Sequence, residues 1–126
     1  MSEARIAVLA QDLVWADRLA RRVRAAGAEP VAARTTGELD RALVNGAEYA
    51  IVDLTARAYD PIEAIGRARA RGARVLAVGP HDDIALRKRA LAAGADKVLA
   101  YRKLFEDGAA VIEGWLTRSE AVGNPA

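Results

Sequence analysis

Five short apolar segments alternate with five segments of helical periodicity, and this alternation predicts an α/β protein. The expected architecture is (βα)₅, a doubly wound parallel sheet with helices on both faces. Three observations carry it. Four of the five apolar runs are nearly continuous in Ala, Val, Ile and Leu, as in a parallel strand buried on both sides. Each run ends in polar or Gly-rich residues and leads into apolar residues three and four apart. The chain has 126 residues, the size of one domain, and right-handed crossovers then place the helices on both faces of the sheet.

The strands are expected at Ile6–Ala10, Val31–Arg34, Tyr49–Leu54, Arg74–Gly79 and Lys97–Tyr101. The second, VAAR, is weaker and suits an edge. The first helix spans Asp12–Ala26, with Ala16, Leu19, Val23 and Ala26 on one face and Gly27 as its stop. Thr36 is the expected cap of the second, which carries Leu39 and Leu43 and ends near Asn45-Gly46. Asp60-Pro61 opens the third, because proline fits a first helical turn, and Gly72 closes it. Asp82 or Asp83 caps the fourth, which presents Leu86, Ala90 and Ala93 and ends at Gly94. The fifth is expected from about Leu104 to Leu116, with Leu104, Val111 and Trp115 in one stripe and Phe105, Ile112 and Leu116 in the next. Residues 1–117 form the expected domain and 118–126 a flexible tail.

Composition removes most ordinary catalytic chemistry. There is no Cys, so disulfides, thiolate metal sites and cysteine nucleophiles are excluded. The one His, His81, cannot build a histidine-rich metal centre. Ser2 and Ser119 are the only serines and sit near the chain ends, which argues against a Ser–His–Asp triad. The sequence shows no base–nucleophile pair, so an enzyme is the weakest reading. The apolar runs are too short to span a bilayer, and MSEARIAVLA lacks the features of a signal peptide. The expectation is a cytoplasmic protein. Net charge is +2, an excess of Arg rather than a polybasic tail.

In open α/β sheets ligands bind beyond the carboxyl ends of the strands, where strand order reverses. The residues there are Ala10, Gln11 and Asp12 after the first strand, Asp53 at the end of the third, Gly79-Pro80-His81 after the fourth, and Tyr101-Arg102-Lys103 after the fifth. Asp53 closes an apolar strand, where a charge needs a reason. It reads either as a phosphate-accepting or metal-binding carboxylate, or as an acid that caps the amides of the following loop.

The segment order, the strand-end Asp53 and the step Ala-Ala-Gly-Ala-Asp-Lys-Val-Leu at 92–99 resemble response-regulator receiver domains over about residues 4–117. The resemblance implies a flavodoxin-like fold with strand order 2-1-3-4-5 and a two-component signalling or phosphorelay role. In that family an aspartate at the Asp53 position is phosphorylated, and an acidic pair after the first strand helps bind Mg²⁺. A Ser or Thr ends the fourth strand, and a Lys, often followed by Pro, ends the fifth. This sequence departs at most of those positions. The acidic pair aligns with Ala10 and Gln11, leaving Asp12 as the nearby acid. The hydroxyl position is Gly79, the lysine position Tyr101 and the proline position Arg102. Sliding by two places Lys103 at the lysine position, but Leu104 then follows.

Magnesium wants carboxylates and waters in octahedral geometry, so Asp12 and Asp53, with backbone near Thr55, leave a weak metal site at most. Without the lysine, less charge stabilises a transferring phosphoryl group. The pattern is therefore that of an atypical receiver, or pseudo-receiver, whose pocket comprises Gln11, Asp12, Thr55, Gly79 and Tyr101. Such a module is expected to stand alone and act by binding a protein, whether a sensor kinase, a downstream effector or a second copy of itself. The family's partner face, built on the fourth helix, fifth strand and fifth helix, would include Lys88, Tyr101, Arg102 and Phe105.

The alternative is a small-ligand or nucleotide-binding domain that uses the same crevice, with Gln11, Asp12, Trp15 and His81 as contacts. Against their functional readings, Trp15 reads equally as rim of the core and His81 as a solvated loop residue. Trp115 fits the core. The runs Arg67, Arg69, Arg71, Arg74 and Arg87, Lys88, Arg89 lie on neighbouring helices, yet no aromatic interleaving accompanies them, so solvated faces are expected rather than a nucleic-acid site. No glycine-rich loop follows the first strand, which argues against dinucleotide binding.

Overall fold

The computed structural model describes residues 3–123, with side chains through residue 117. Strands and helices alternate strictly: β1 (Arg5–Leu9), α1 (Leu13–Ala25), β2 (Glu29–Ala33), α2 (Thr36–Val44), β3 (Tyr49–Asp53), α3 (Pro61–Ala70), β4 (Arg74–Gly79), α4 (Ile84–Ala93), β5 (Lys97–Ala100) and α5 (Tyr101–Gly123). The five strands form one sheet in the order β2-β1-β3-β4-β5, every pairing parallel. This is the flavodoxin-like order, with VAA of the weak second run at the edge.

Period-two alternation divides the core. Ala7, Leu9, Ala50, Val52, Val75 and Ala77 pack with Leu39, Ala42, Ile65, Ala68 and Ala90 of α2, α3 and α4. Ile6, Val8, Tyr49, Ile51, Leu76 and Val78 pack with Leu19, Val23, Leu104, Ile112 and Trp115 of α1 and α5. Apolar residues line both faces of the three central strands, so these read as unbroken hydrophobic runs.

Helix starts follow side-chain chemistry. Asp12 Oδ1 accepts from Trp15 N at 2.9 Å, Asp60 from Ile62 N and Glu63 N, and Asp83 from Leu86 N at 3.0 Å. The cap of α2 is Thr35, not Thr36: its Oγ1 accepts from Glu38 N, while Glu38 Oε1 accepts from Arg34 N, both at 3.1 Å. Only Thr35 stands three residues before that glutamate, the spacing of a capping box, although the carboxylate here takes the amide one residue earlier, Arg34 N. At the other end of α4, Gly94 has φ +121° and an added Cβ would run into the Arg69 side chain, so glycine is required there.

The fifth helix begins at Tyr101 rather than Leu104, and β5 stops at Ala100. Asp107 interrupts α5 with φ −127°, ψ 24°. The helix continues to Gly123 across part of the stretch expected as a tail. Side chains from 118 on and all of 124–126 lie outside the described residues. Trp115 is buried against Tyr49, rings 5.2 Å apart and edge to face. Its Nε1 donates to Asp96 Oδ2 at 3.1 Å, which gives the acid of the 92–99 step a structural role.

The arginine runs do not make one free basic face. Arg67 and Arg71 both pair with Asp40, Arg74 lies 3.9 Å from Asp96, and Arg69 and Arg87 donate to the carbonyls of Ala73 and Val98. The hydrogen bond from Arg67, and then the charges of Arg67 and Arg71, outweigh partial burial and hold the Asp40 carboxyl below its ordinary value of 3.8. A carboxyl with a depressed folded-state pKa contributes stability above its unfolded value and loses that contribution as pH falls through the folded one. Asp40→Asn should therefore lower the melting temperature at about pH 5, and the gap to wild type should close as the pH drops below that ordinary value. Melting curves of the two proteins across this window check it.

Candidate functional site at the strand ends

The strand order turns between β1 and β3, and Asp53 is the last residue of β3. It is the one buried polar or charged residue among those described, 4% exposed. Burying a carboxylate demands donors, and the loop after β3 supplies two. Thr55 N and Thr55 Oγ1 reach Asp53 Oδ1 at 3.1 and 3.0 Å. The third is the Tyr101 hydroxyl, which donates to the same oxygen and lies against Thr55 Oγ1. Oδ2 takes no hydrogen bond from the described residues. Of the two readings of Asp53, these contacts describe the acid that caps the following loop.

Tyr101 reaches Asp53 because α5 starts at this residue, directly after β5. Trp15 of α1 stands edge-on to its ring, centroids 4.7 Å apart and planes at 81°. Burial first, and then the Asp53 carboxylate, push the Tyr101 phenol above its ordinary value, so it remains protonated and a donor.

Gln11 lies at the same rim, and its Oε1 accepts from Arg57 N at 2.8 Å and Ala58 N at 3.1 Å. It thereby pins the β3–α3 loop to the end of β1. Gly79 ends β4, and a Cβ added there would lie 3.1 Å from Leu54 Cδ1. Leu54 crowds the place where a hydroxyl-bearing side chain would begin.

Tyr59 was not singled out by the sequence. Its buried hydroxyl lies between the carbonyls of Asp53 (2.8 Å) and Leu9 (3.0 Å), joining the ends of β3 and β1. Burial, helped by Asp53 and Tyr101, raises its pKa far out of the working range. The available signal was an aromatic residue just ahead of the Asp60-Pro61 helix start, a pattern equally compatible with an exposed turn.

Several expected site residues lie elsewhere. Asp12 spends its carboxylate on the α1 cap, because a helix N-terminus offers unpaired N–H groups next to it. His81 is exposed and makes no hydrogen bond to the described residues, and the Asp83 beside it is engaged as a cap. Lys103, the alternative lysine, pairs with Asp107 one turn along α5 at 3.0 Å. On the expected partner face Lys88 and Arg102 are exposed, Arg102 pairing with Glu106. Phe105 is 50% exposed as well, and Arg18 and Arg22 of α1 lie 5.2 and 5.1 Å from its ring centre. Its place on α5 faces that helix, and the cations favour the aromatic ring. Tyr101 likewise spends its hydroxyl inward.

The residues present do not fit a divalent cation. Magnesium asks for convergent carboxylate oxygens. Ala10 offers none, the Gln11 oxygen already accepts two amides, and Asp12 is a cap. Among the described residues no three His, Cys, Asp or Glu side chains gather at one point.

A five-stranded parallel sheet in this order, with an aspartate at its switch point, is the architecture of a receiver domain. Comparison with known proteins bears this out at the level of fold. A CheY-like response-regulator receiver domain from Methanospirillum hungatei JF-1 matches with a TM-score of 0.82 at 22% identity, covering 95% of this chain and 98% of that one. A two-component response regulator from Clostridium difficile matches at 0.80 and 15% identity, covering 93% and 98%. A response regulator from Burkholderia pseudomallei, solved with a phosphorylated aspartic acid, calcium ion and citrate, matches at 0.74 and 24% identity, covering 98% and 76%. No family model and no curated protein sequence matches the chain. Among the described residues no helix is long and apolar enough to cross a membrane.

Proposed function

We propose that residues 1–117 form a receiver-like signalling module that acts by contact with a protein partner, with Asp53 serving as an internal anchor rather than as a phosphoacceptor. The observation that carries this reading is that Asp53 Oδ1 is held from within the protein. One carboxylate oxygen takes donors from Thr55 and Tyr101, and no three His, Cys, Asp or Glu gather among the described residues. Phosphoryl transfer depends on electrostatic stabilisation by cations and positioned donors. The Burkholderia response regulator was solved with a phosphorylated aspartic acid and a calcium ion; in this chain the positions where the receiver resemblance implies an acidic pair and a lysine hold Ala10, Gln11 and Tyr101. Receiver domains are in general signalling modules rather than enzymes, and this site has no nucleophile–base pair to set against that. The partner is a sensor kinase, a downstream effector or a second copy of the chain, and the exposed Lys88 and Arg102 belong to the surface offered to it.

The ligand-binding alternative loses support, because Gln11, Asp12 and Trp15 are engaged within the protein and His81 stands apart. Adding Mg²⁺ and beryllofluoride, an acyl-phosphate mimic, should leave the amide resonances of Thr55 and residues 79–83 unchanged. Saturable shifts there would establish a competent phosphoacceptor and overturn the reading.

A further inference from the structure

We infer that the Tyr101 hydroxyl is an intramolecular latch: it holds Oδ1 of the Asp53 carboxylate and ties the end of β3 to the start of α5, so that this oxygen is freed only when the contact is released. The inference rests on the receiver-like reading above and names how that same site is regulated.

Three segments meet at one oxygen. Asp53 ends β3, Thr55 opens the following loop, and Tyr101 is the first residue of α5. Tyr101 contacts both of the others, so withdrawing it removes two links at once and leaves a 4%-exposed carboxylate with donors from Thr55 alone. The phenol is the only one of these donors that comes from a distant part of the chain. Gly79 has no side chain to replace it from β4, and Lys103 is paired along α5.

What holds the latch is also what would let it move. Trp15 backs the Tyr101 ring edge-on, but its buried indole N–H has no hydrogen-bond partner, so packing alone fixes it. Leu13 and Val14, 65% and 66% exposed, are its immediate neighbours in the first turn of α1. The start of α5 is thus coupled to Asp53 without a phosphate or a cation at the site.

Tyr101→Phe removes only the hydroxyl and keeps the ring against Trp15. Amide exchange at Thr55, and at Phe105 and Glu106 whose N–H groups close the first turn of α5, should accelerate about tenfold or more, as loss of a hydrogen bond to a charged acceptor implies. Unchanged exchange overturns the latch. A second experiment adds Mg²⁺ and beryllofluoride to wild type, to Ala10→Asp and to the double variant Ala10→Asp/Tyr101→Phe, and follows Thr55. The latch predicts a response in the double variant alone. A response of Ala10→Asp equal to that of the double variant, or no response in the double variant, overturns the latch and leaves the protein-contact reading standing. A response of the wild type overturns that reading itself. Should Ala10→Asp fail to fold, the exchange measurement on Tyr101→Phe decides the matter by itself.

Discussion

Replacing Trp115 by alanine is expected to cost about 3–5 kcal/mol, the range for removing a fully buried aromatic side chain. Trp115 is 2% exposed and joins α5 to the sheet through Tyr49 and to the turn before β5 through Asp96. Domains of this size have about 5–15 kcal/mol in total, so the variant should lie close to its unfolding threshold. Urea unfolding would show a lower midpoint with an unchanged slope. Trp115→Phe separates the two contributions. It keeps most of the ring packing and loses only the indole hydrogen bond, for which about 1.5–3 kcal/mol is expected because the acceptor is a carboxylate. If Trp115→Ala shifts the midpoint no more than Trp115→Phe does, burial of the ring is not what docks α5.

Asp53→Ala gives the second large effect, and its sign is the informative part. A phosphoacceptor aspartate set among other carboxylates is strained by like charge, and removing it should stabilise the fold, as removing strained functional groups often does. Here the described residues form no cluster of three His, Cys, Asp or Glu, and Asp53 Oδ1 accepts from Thr55 N, Thr55 Oγ1 and the Tyr101 hydroxyl. Alanine takes away the acceptor that these three donors share, although Thr55 itself is exposed. A loss of about 2 kcal/mol or more is expected, on the scale of hydrogen bonds to charged groups. Melting temperature and denaturant midpoint should both fall. A stabilised variant would mean that Asp53 is held against electrostatic strain, contrary to its role as an anchor.

Much of this site was legible from residue order. Asp53 was visible as a charge closing an apolar strand, and the 92–99 step gave an alignment with Tyr101 at the lysine position and Lys103 as the alternative. What Tyr101 does there was not legible. A tyrosine after a strand can stack outward or turn inward, and only the start of α5 at residue 101, three residues earlier than periodicity indicated, directs its hydroxyl at Asp53. Periodicity missed this because Tyr-Arg-Lys carries no apolar repeat, so nothing in it marks a first helical turn. Tyr59 was missed for a related reason. Its hydrogen bonds go to backbone carbonyls of two strands, and backbone acceptors leave no trace in side-chain spacing. Asp12 was overread for the opposite reason. An acid beside a strand end is also an acid before a helix, and the N-cap claimed it.

The sequence by itself determined the class of fold, the number and order of strands and helices, and the poverty of catalytic groups, because these depend on hydrophobic period and composition, which are local or additive properties. It also located the switch point and its aspartate. The tertiary structure alone decided how that aspartate is satisfied, which helix face Phe105 takes, and where the arginines spend their charge. Those outcomes depend on which side chains from distant segments arrive within about 3 Å of one another, and no spacing along the chain encodes that distance.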